Sequence, residues 1–550
     1  MAPEPPASAE SGPAESGPAS STAELLAAYL HEAGVRQVFG YPGESIIDFM
    51  EACRQRGIGV IASVREATAA FMAEGAAMTT GLPGVCLSTL GPGSTALLNG
   101  VAAATLDRVP MLAVSGQIES SREQFFTHQV VDHGRMFAPV TKLALRLDAA
   151  SAGTVIRKAL RTATAERPGA VSLTVNTDTW ERPAGPESPI LPPLGPPSGG
   201  VSVYGDGDPL RAIRAARRPV ILTGTAAMRC AAGPELARLA ELAGLPVVVA
   251  PMAKGTISED HPYFAGVLDM AGHRVVWELL ERADLILAAG FDPAELISPW
   301  RISTPVLHAD TVPNTDQVYP SEHELVGDVA AILGWITAQW SGEPRWTEAE
   351  VATHRERLAA AWRHGAEDGQ LNPSDVVTIA RDAAPADTIV TTDVGSHKLM
   401  TGQVWRAAAP RSVLIPNGLS AMGFGVPAAI AAGLAQPGRP VLALTGDGGF
   451  AMTATEMRIA AALGVPLTVV VFADNSLNLI ELRQQVKGYP PTATRTETTD
   501  LPTLAEAMGC DGIRADTPAA LEKALDGFAA RTRPLVIEAR ISTAQYQAQF

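Results

Sequence analysis

Gly446-Asp447-Gly448 is followed, 27 residues after Asp447, by Asp474-Asn475. Each aspartate closes a short apolar run, PVLALTG before Asp447 and PLTVVVFAD ending at Asp474, so each falls where a buried strand ends. In a parallel sheet both would lie at the carboxyl edge, where such sheets bind ligands. Magnesium prefers an octahedron of oxygens, commonly one or two carboxylates completed by phosphate. Glycines beside Asp447 let the backbone approach a diphosphate, and a helix start there adds N–H donors. Taken alone, GDGG reads more simply as a strand-to-helix turn, with Asp474-Asn475 as a cap. The second acidic terminus at matching depth favours a magnesium-diphosphate site.

The surrounding pattern predicts how such residues are positioned. Ser21-x-x-Glu24 is a capping box that opens a helix over LLAAYLHEA, stopping near Gly34. VRQVFG, IGVIASV, GVCLST and PMLAVSG read as strands, separated by helices over SIIDFMEACRQR, ATAAFMAEGAAM and STALLNGVAAAT, the last preceded by a Gly91-Pro92-Gly93 turn. Strict alternation of this kind predicts a parallel sheet with helices on both faces. Pro183 to Gly200 suits neither helix nor central strand and is a linker. PVILTG, LPVVVAP, ADLILAAG and PVLHAD form a second α/β unit, and TEAEVATHRERLAAAWRHGAEDG is a solvent-facing connector helix. DTIVTTD, SVLIP, PVLALTG, PLTVVVFAD and PLVIEAR belong to a third unit. The expected organisation is a disordered tail at 1–20, α/β domains of the doubly wound parallel-sheet class at 21–182, 201–340 and 372–550, a linker at 183–200 and a connector at 341–371.

Composition narrows the function. The 550 residues exceed what one core usually supports, and the net charge of -16 disfavours nucleic acid and anionic membranes as partners. Cys53, Cys86, Cys230 and Cys510 are dispersed, with no C-x-x-C pair, which fits a reducing cytoplasm rather than a zinc site or disulfide framework. The opening residues lack the basic and apolar regions of a signal peptide. Ser412 to Gly438 is long and uncharged, but its prolines, glycines and Asn417 predict a loop and a buried helix rather than a membrane span.

The run GDGGFAMTATEMRIAAALGVPLTVVVFADNSLNLIEL resembles the cofactor signature of the acetolactate-synthase-like thiamine-diphosphate enzymes. The likeness continues through VFGYPG, VREATAAFMAEGAAMTTGLPGV, STLGPGSTALLNGVAAATLDRVPMLAVSGQ, HQVVDHGRMFAPVTK, TDVGSHK and NGLSAMGFGVPAAIAAGLA, nearly the whole chain after its first residues. The resemblance implies three α/β domains: pyrimidine-binding, central and diphosphate-binding. It makes Asp447 and Asp474 side-chain ligands of Mg²⁺, with the Ser476 carbonyl as a third. Gly395, Ser396, His397, Gly448, Gly449 and Asn478 would surround the cofactor, and Met422 would wedge it into its bent form. Glu66 would be the catalytic carboxylate, hydrogen-bonding the pyrimidine ring and favouring the imino tautomer that deprotonates the thiazolium carbon. Without that context, Met422 is core packing and Glu66 a favourable charge at a helix start.

Relatives of this kind decarboxylate a 2-keto acid, usually pyruvate, and join the two-carbon unit to a second carbonyl compound. By position Gln117, His128, Gln129 and Lys142 lie near the entrance and are candidates to orient donor or acceptor; each is equally a polar surface residue. His128-Gln129-x-x-Asp132, Asp474-Asn475-x-x-Asn478 and Gly290-Phe291-Asp292-Pro293 resemble the catabolic, flavin-free members, whereas Gln117 and Met422-Gly-Phe-Gly resemble the flavin-containing biosynthetic ones. The central unit has no G-x-G-x-x-G, and FAD is not expected. Arg65 replaces the family's usual His, Leu90 a small or polar residue, and Ala473 a frequent Asn; these departures bear on substrate rather than cofactor. The first expectation is a carboligase forming 2-acetolactate or a close analogue, as in branched-chain amino acid biosynthesis. A lyase or decarboxylase of secondary metabolism with another acceptor is the alternative. A non-catalytic binding subunit is disfavoured because Glu66, Asp447 and Asp474 are all retained. The resemblance also implies a homodimer or homotetramer, with Glu66 facing the diphosphate domain of a second chain.

Overall fold

The structure, a computed structural model, describes residues 20–185 and 191–550. The tail expected at 1–20 falls almost wholly outside the described residues, as does 186–190 of the linker. Three sheets organise the rest. The first contains β1 (Gln37–Gly40), β2 (Gly59–Ala62), β3 (Gly84–Ser88), β4 (Met111–Gln117), β5 (Leu143–Leu147) and β6 (Ala170–Asn176), all parallel, in the order β2-β1-β3-β4-β6-β5. The second contains β7 (Val201–Tyr204), β8 (Pro219–Thr223), β9 (Val247–Val249), β10 (Phe264–Val267), β11 (Leu285–Ala289), β12 (Val306–Asp310) and β13 (Ser321–Gly327). Its order is β10-β9-β8-β11-β12-β13-β7. The third contains β14 (Ile389–Thr392), β15 (Val413–Leu414), β16 (Val441–Gly446), β17 (Leu467–Ala473), β18 (Asp511–Ala515) and β19 (Leu535–Arg540), in the order β15-β14-β16-β17-β19-β18. The first and third sheets therefore share one topology. In each the chain goes outward from its first strand and returns on the other side, creating a switch point beside that strand, where doubly wound folds leave a crevice.

The central strands are short runs of Val, Leu, Ile and Ala, buried on both faces, as parallel sheets require. Strands at the edges carry weaker signals. β5 and β18 each include an exposed arginine, Arg146 and Arg514, and the exposed β7 pairs antiparallel with β13. That antiparallel edge strand is the one departure from the all-parallel expectation. Gly91-Pro92-Gly93 is not a separate turn but the first turn of the Gly91–Leu106 helix, where proline's missing N–H costs nothing. The connector helix Glu348–Arg363 buries Val351, His354 and Leu358; it is docked on the central core rather than surrounded by solvent. Its His354 Nε2 pairs with the Ala265 carbonyl at 2.8 Å. Among the described residues no helix is long and apolar enough to cross a membrane.

The first and third domains meet through the Glu66–Thr80 and Gly425–Ala435 helices. Gly75 permits the crossing: a Cβ there would lie 2.6 Å from the Ala428 Cα. Immediately before it in the chain, Glu74 is fully buried with its carboxyl against that of Asp107. Burial, and then the negative charge of Asp107, push its pKa well above 4.5. The folded chain thus keeps a proton that the unfolded chain releases near 4.5, so Glu74 subtracts stability as pH rises above that value. Between about pH 5 and pH 8 the melting temperature of the wild type should fall more than that of Glu74→Gln; parallel curves in a thermal-shift series would contradict this protonation state.

Candidate functional site

Asp447 is the first residue of the Asp447–Thr453 helix directly after β16, and Asp474 directly follows β17. The two strands are neighbours with Gly446 opposite Phe472, so both carboxylates stand side by side on one carboxyl edge. Asp447 Oδ2 accepts the amides of Asp474 at 3.1 Å and Asn475 at 2.6 Å, and its Oδ1 accepts that of Gly448 at 2.8 Å. Asn475 adopts a left-handed φ of 53° to present its amide. Asp474 Oδ1 accepts the Ser476 amide at 2.9 Å and hydroxyl at 3.0 Å. Burial first, and Asp447 next, push the Asp474 carboxyl up to about 7; burial also raises Asp447. Neither carboxylate forms a salt bridge among the described residues; Arg495, whose charge lowers Asp474 slightly, is itself paired with Glu481. The pair is short of positive charge.

These residues open onto a cavity of about 140 Å³ at the switch point of the third sheet. Gly395, Ser396 and His397 enter from the end of β14, Gly448 and Gly449 from β16, Ser476 and Asn478 from β17, and Met422 from the loop before the Gly425–Ala435 helix. All the residues assigned to the diphosphate end from sequence therefore converge on one cavity. Ser396 Oγ lies 3.0 Å from Asn478 Oδ1. His397 Nε2 accepts the Gly446 amide at 3.2 Å, and burial lowers the ring's pKa to about 3; the imidazole is neutral, with its proton on Nδ1. Cβ atoms on Gly395 and Gly446 would lie 3.0 and 3.1 Å from that ring, so glycine on both sides makes room for it. Among the described residues there is no cluster of three or more His, Cys, Asp or Glu side chains able to enclose a metal. Two carboxylates with open space beside them instead suit an ion that takes its remaining oxygens from a ligand.

Three stretches of the chain match "Thiamine pyrophosphate enzyme" domains: the N-terminal TPP binding domain over residues 20–136, the central domain over 209–336, and the C-terminal TPP binding domain over 393–539. The chain belongs to the acetolactate-synthase-like thiamine pyrophosphate enzymes. The catabolic acetolactate synthase of Raoultella terrigena is 31% identical over 514 residues, covering 92% of this chain and 92% of the relative. An acetolactate synthase of Bacillus subtilis is 28% identical over 535 residues, covering 94% and 92%. The large subunit of Escherichia coli acetolactate synthase isozyme 3 is 29% identical over 533 residues, covering 92% and 91%.

In this thiamine pyrophosphate enzyme the remaining candidates are dispersed. Glu66 begins its helix after β2, half-buried, its Oε1 against Gly93, and does not line the cavity of its own chain. Arg65 beside it is exposed. Gln117, at the carboxyl end of β4, is buried and used internally: Nε2 donates to the Val131 carbonyl at 3.1 Å and Oε1 accepts the Ile118 amide at 3.0 Å. It fixes the 118–132 segment, on which His128 and Gln129 are exposed. Lys142 is not with them. It precedes β5, level with Met111 and not Gln117, roughly 20 Å away at about 3.3 Å per strand residue. Its Nζ donates to the Ala165 carbonyl at 2.8 Å, and burial lowers its pKa to about 8.

Sequence reasoning missed Asp393, which directly follows β14 and is fully buried. Its carboxylate accepts the amides of Val394 at 2.7 Å, Gly423 at 2.9 Å and Gly425 at 3.0 Å, holding the loop that carries Met422. The TDVGSHK run contained it, but only its last residues were read as ligand contacts. Asp393→Ala orphans three buried amides, each costing about 1–3 kcal/mol. A loss of about 3 kcal/mol or more is expected by denaturant unfolding of the cofactor-free protein; unchanged stability would contradict this clamp.

Proposed function

We propose that this thiamine-diphosphate enzyme is a Mg²⁺-dependent carboligase that decarboxylates a 2-keto acid, with pyruvate the favoured donor, and joins the two-carbon unit to a second carbonyl compound to give 2-acetolactate or a close analogue. The observation that carries the reading is the unneutralised pair Asp447–Asp474 facing a switch-point cavity, with Glu66 retained. In it Asp447 and Asp474 hold the metal together with the Ser476 carbonyl. Gly395, Ser396, His397, Gly448, Gly449 and Asn478 would surround the diphosphate, and Met422 would pack against the cofactor as its wedge. When bound, thiamine diphosphate supplies the electron sink that decarboxylation needs. Glu66 holds the proton at the pyrimidine nitrogen.

A single chain does not bring Glu66 to the cavity lined by Asp447, which supports an active site shared between two copies and a homodimer as the minimal unit. We also read the enzyme as flavin-free. Charged side chains line the carboxyl edge of the central sheet: Asp292 pairs with Arg108 at 2.9 Å and Arg167 at 3.3 Å, Glu166 with Arg229 at 2.6 Å, and buried Glu295 accepts the Thr225 amide at 3.0 Å, beside a cavity of about 380 Å³ lined by Arg108, Glu166, Thr225 and Arg229; the flavin-free reading rests on the central unit's lack of G-x-G-x-x-G. A doubly wound sheet binds ligands at that edge. The four free, buried cysteines agree with a reducing cytoplasm. The alternative, a lyase or decarboxylase with another acceptor, draws on Arg65 and Leu90 beside Glu66 on the first domain's carboxyl edge.

Incubation with pyruvate, thiamine diphosphate and Mg²⁺, followed by mass spectrometry, should yield 2-acetolactate or a ligated analogue; CO₂ without a ligated product would favour the alternative. Glu66→Gln should bind cofactor normally and lose about 10²- to 10⁴-fold in turnover. Asp447→Ala should lose the cofactor-induced rise in melting temperature. Co-expression of these two variants should restore up to about a quarter of wild-type activity, since half the dimers are mixed and each has one intact site; no recovery would contradict the shared site.

A further inference from the structure

Tyr546 lies on the last helix, Ala544–Gln549, far in sequence from every motif above. Its side chain is 2% exposed, lines the same cavity as Asp447 and Asp474, and its hydroxyl has no hydrogen-bond partner within the protein. Of the three hydroxyls lining that cavity, Ser396 is engaged with Asn478 and Ser476 with Asp474; the phenol alone is unused. It is near enough to both aspartates for their charge to favour its protonated form.

The helix that carries it is fixed in place. Gln545 Oε1 accepts the Ser374 amide at 2.9 Å, while its Nε2 donates to the Trp362 carbonyl at 3.1 Å and to Ser374 Oγ at 2.9 Å. Gln549 Nε2 donates to the Ala361 and His364 carbonyls at 2.6 and 3.0 Å. Gly365 leaves no room for displacement, since a Cβ there would lie 2.4 Å from that of Ala548. A buried donor left without an acceptor is destabilising, and here the surrounding contacts hold the ring in that unfavourable position.

We propose that Tyr546 is a cofactor-binding residue whose hydroxyl donates a hydrogen bond to an oxygen of the bound diphosphate. This rests on the diphosphate site assigned above. The terminal helix then contributes one wall of the cavity, and its docking on the connector helix links that element to cofactor retention.

The test is Tyr546→Phe, compared with the wild type by calorimetric titration with thiamine diphosphate at saturating Mg²⁺ and by melting of the cofactor-free protein. A hydrogen bond to a charged oxygen predicts a Kd raised at least about 10-fold. Because the hydroxyl is unsatisfied without ligand, the cofactor-free melting temperature should stay the same or rise. An unchanged Kd would overturn the proposal. So would a weaker Kd accompanied by a lower cofactor-free melting temperature, which would make Tyr546 a packing residue. Failure of the wild type to bind thiamine diphosphate would instead remove the diphosphate site itself, and this inference with it.

Discussion

Like charges that are buried together repel one another, and the carboxylates of Asp447 and Asp474 are held together by the register of two adjacent strands. Backbone amides moderate the repulsion at Asp447, yet Asp474 is still pushed up to about 7. A fold that needed only stability would have neutralised one of them with a basic side chain, as it does for Asp292 with Arg108 and Arg167. A cation bound together with a diphosphate would meet the same need from outside. The glycines, the neutral His397 and the cavity itself are arranged around that unmet charge.

Positioning extends across the domain boundary. Asp393 holds the Met422 loop from below, and Asp107 of the first domain takes the Asn417 amide at 3.2 Å and also that of Gly418. Lys398 is buried between Asp107 and Asp393, its pKa lowered to about 8, and donates to Ser420 Oγ at 3.1 Å. Neighbouring Glu74 contributes a buried carboxyl to the same interface. The loop bearing Met422 is thus gripped by residues of both cofactor-binding domains, which ties its geometry to the crossing of two helices at Gly75.

Most of the buried strands and most of the residues lining the cavity beside Asp447 and Asp474 were legible because their signals are local. Apolar runs of five to seven residues, such as VLALTG and LTVVVFA, end in acidic or glycine-rich turns, and a strand end has one position on a sheet edge. Strands β5, β7, β10, β13 and β18 were not read, and neither was β6, a buried inner strand whose apolar run is interrupted by Ser172, Thr174 and Asn176; strands that mix polar and apolar residues compete with loop readings. The entrance group divides for a related reason. Gln117 is at the end of a strand and Lys142 at the start of another, a distinction that requires knowing where β5 begins. Tyr546 and Asp393 owe their places to tertiary packing, which no short motif encodes.

Locating the metal bears most directly on the central claim. The protein would be crystallised with thiamine diphosphate and Mn²⁺ in place of Mg²⁺, and the ion identified by anomalous scattering. One Mn²⁺ per chain is expected between the Asp447 and Asp474 carboxylates, bound also to the diphosphate, with Glu66 of a second copy against the pyrimidine ring. A metal bound elsewhere, or a diphosphate outside the cavity between β14, β16 and β17, would contradict it.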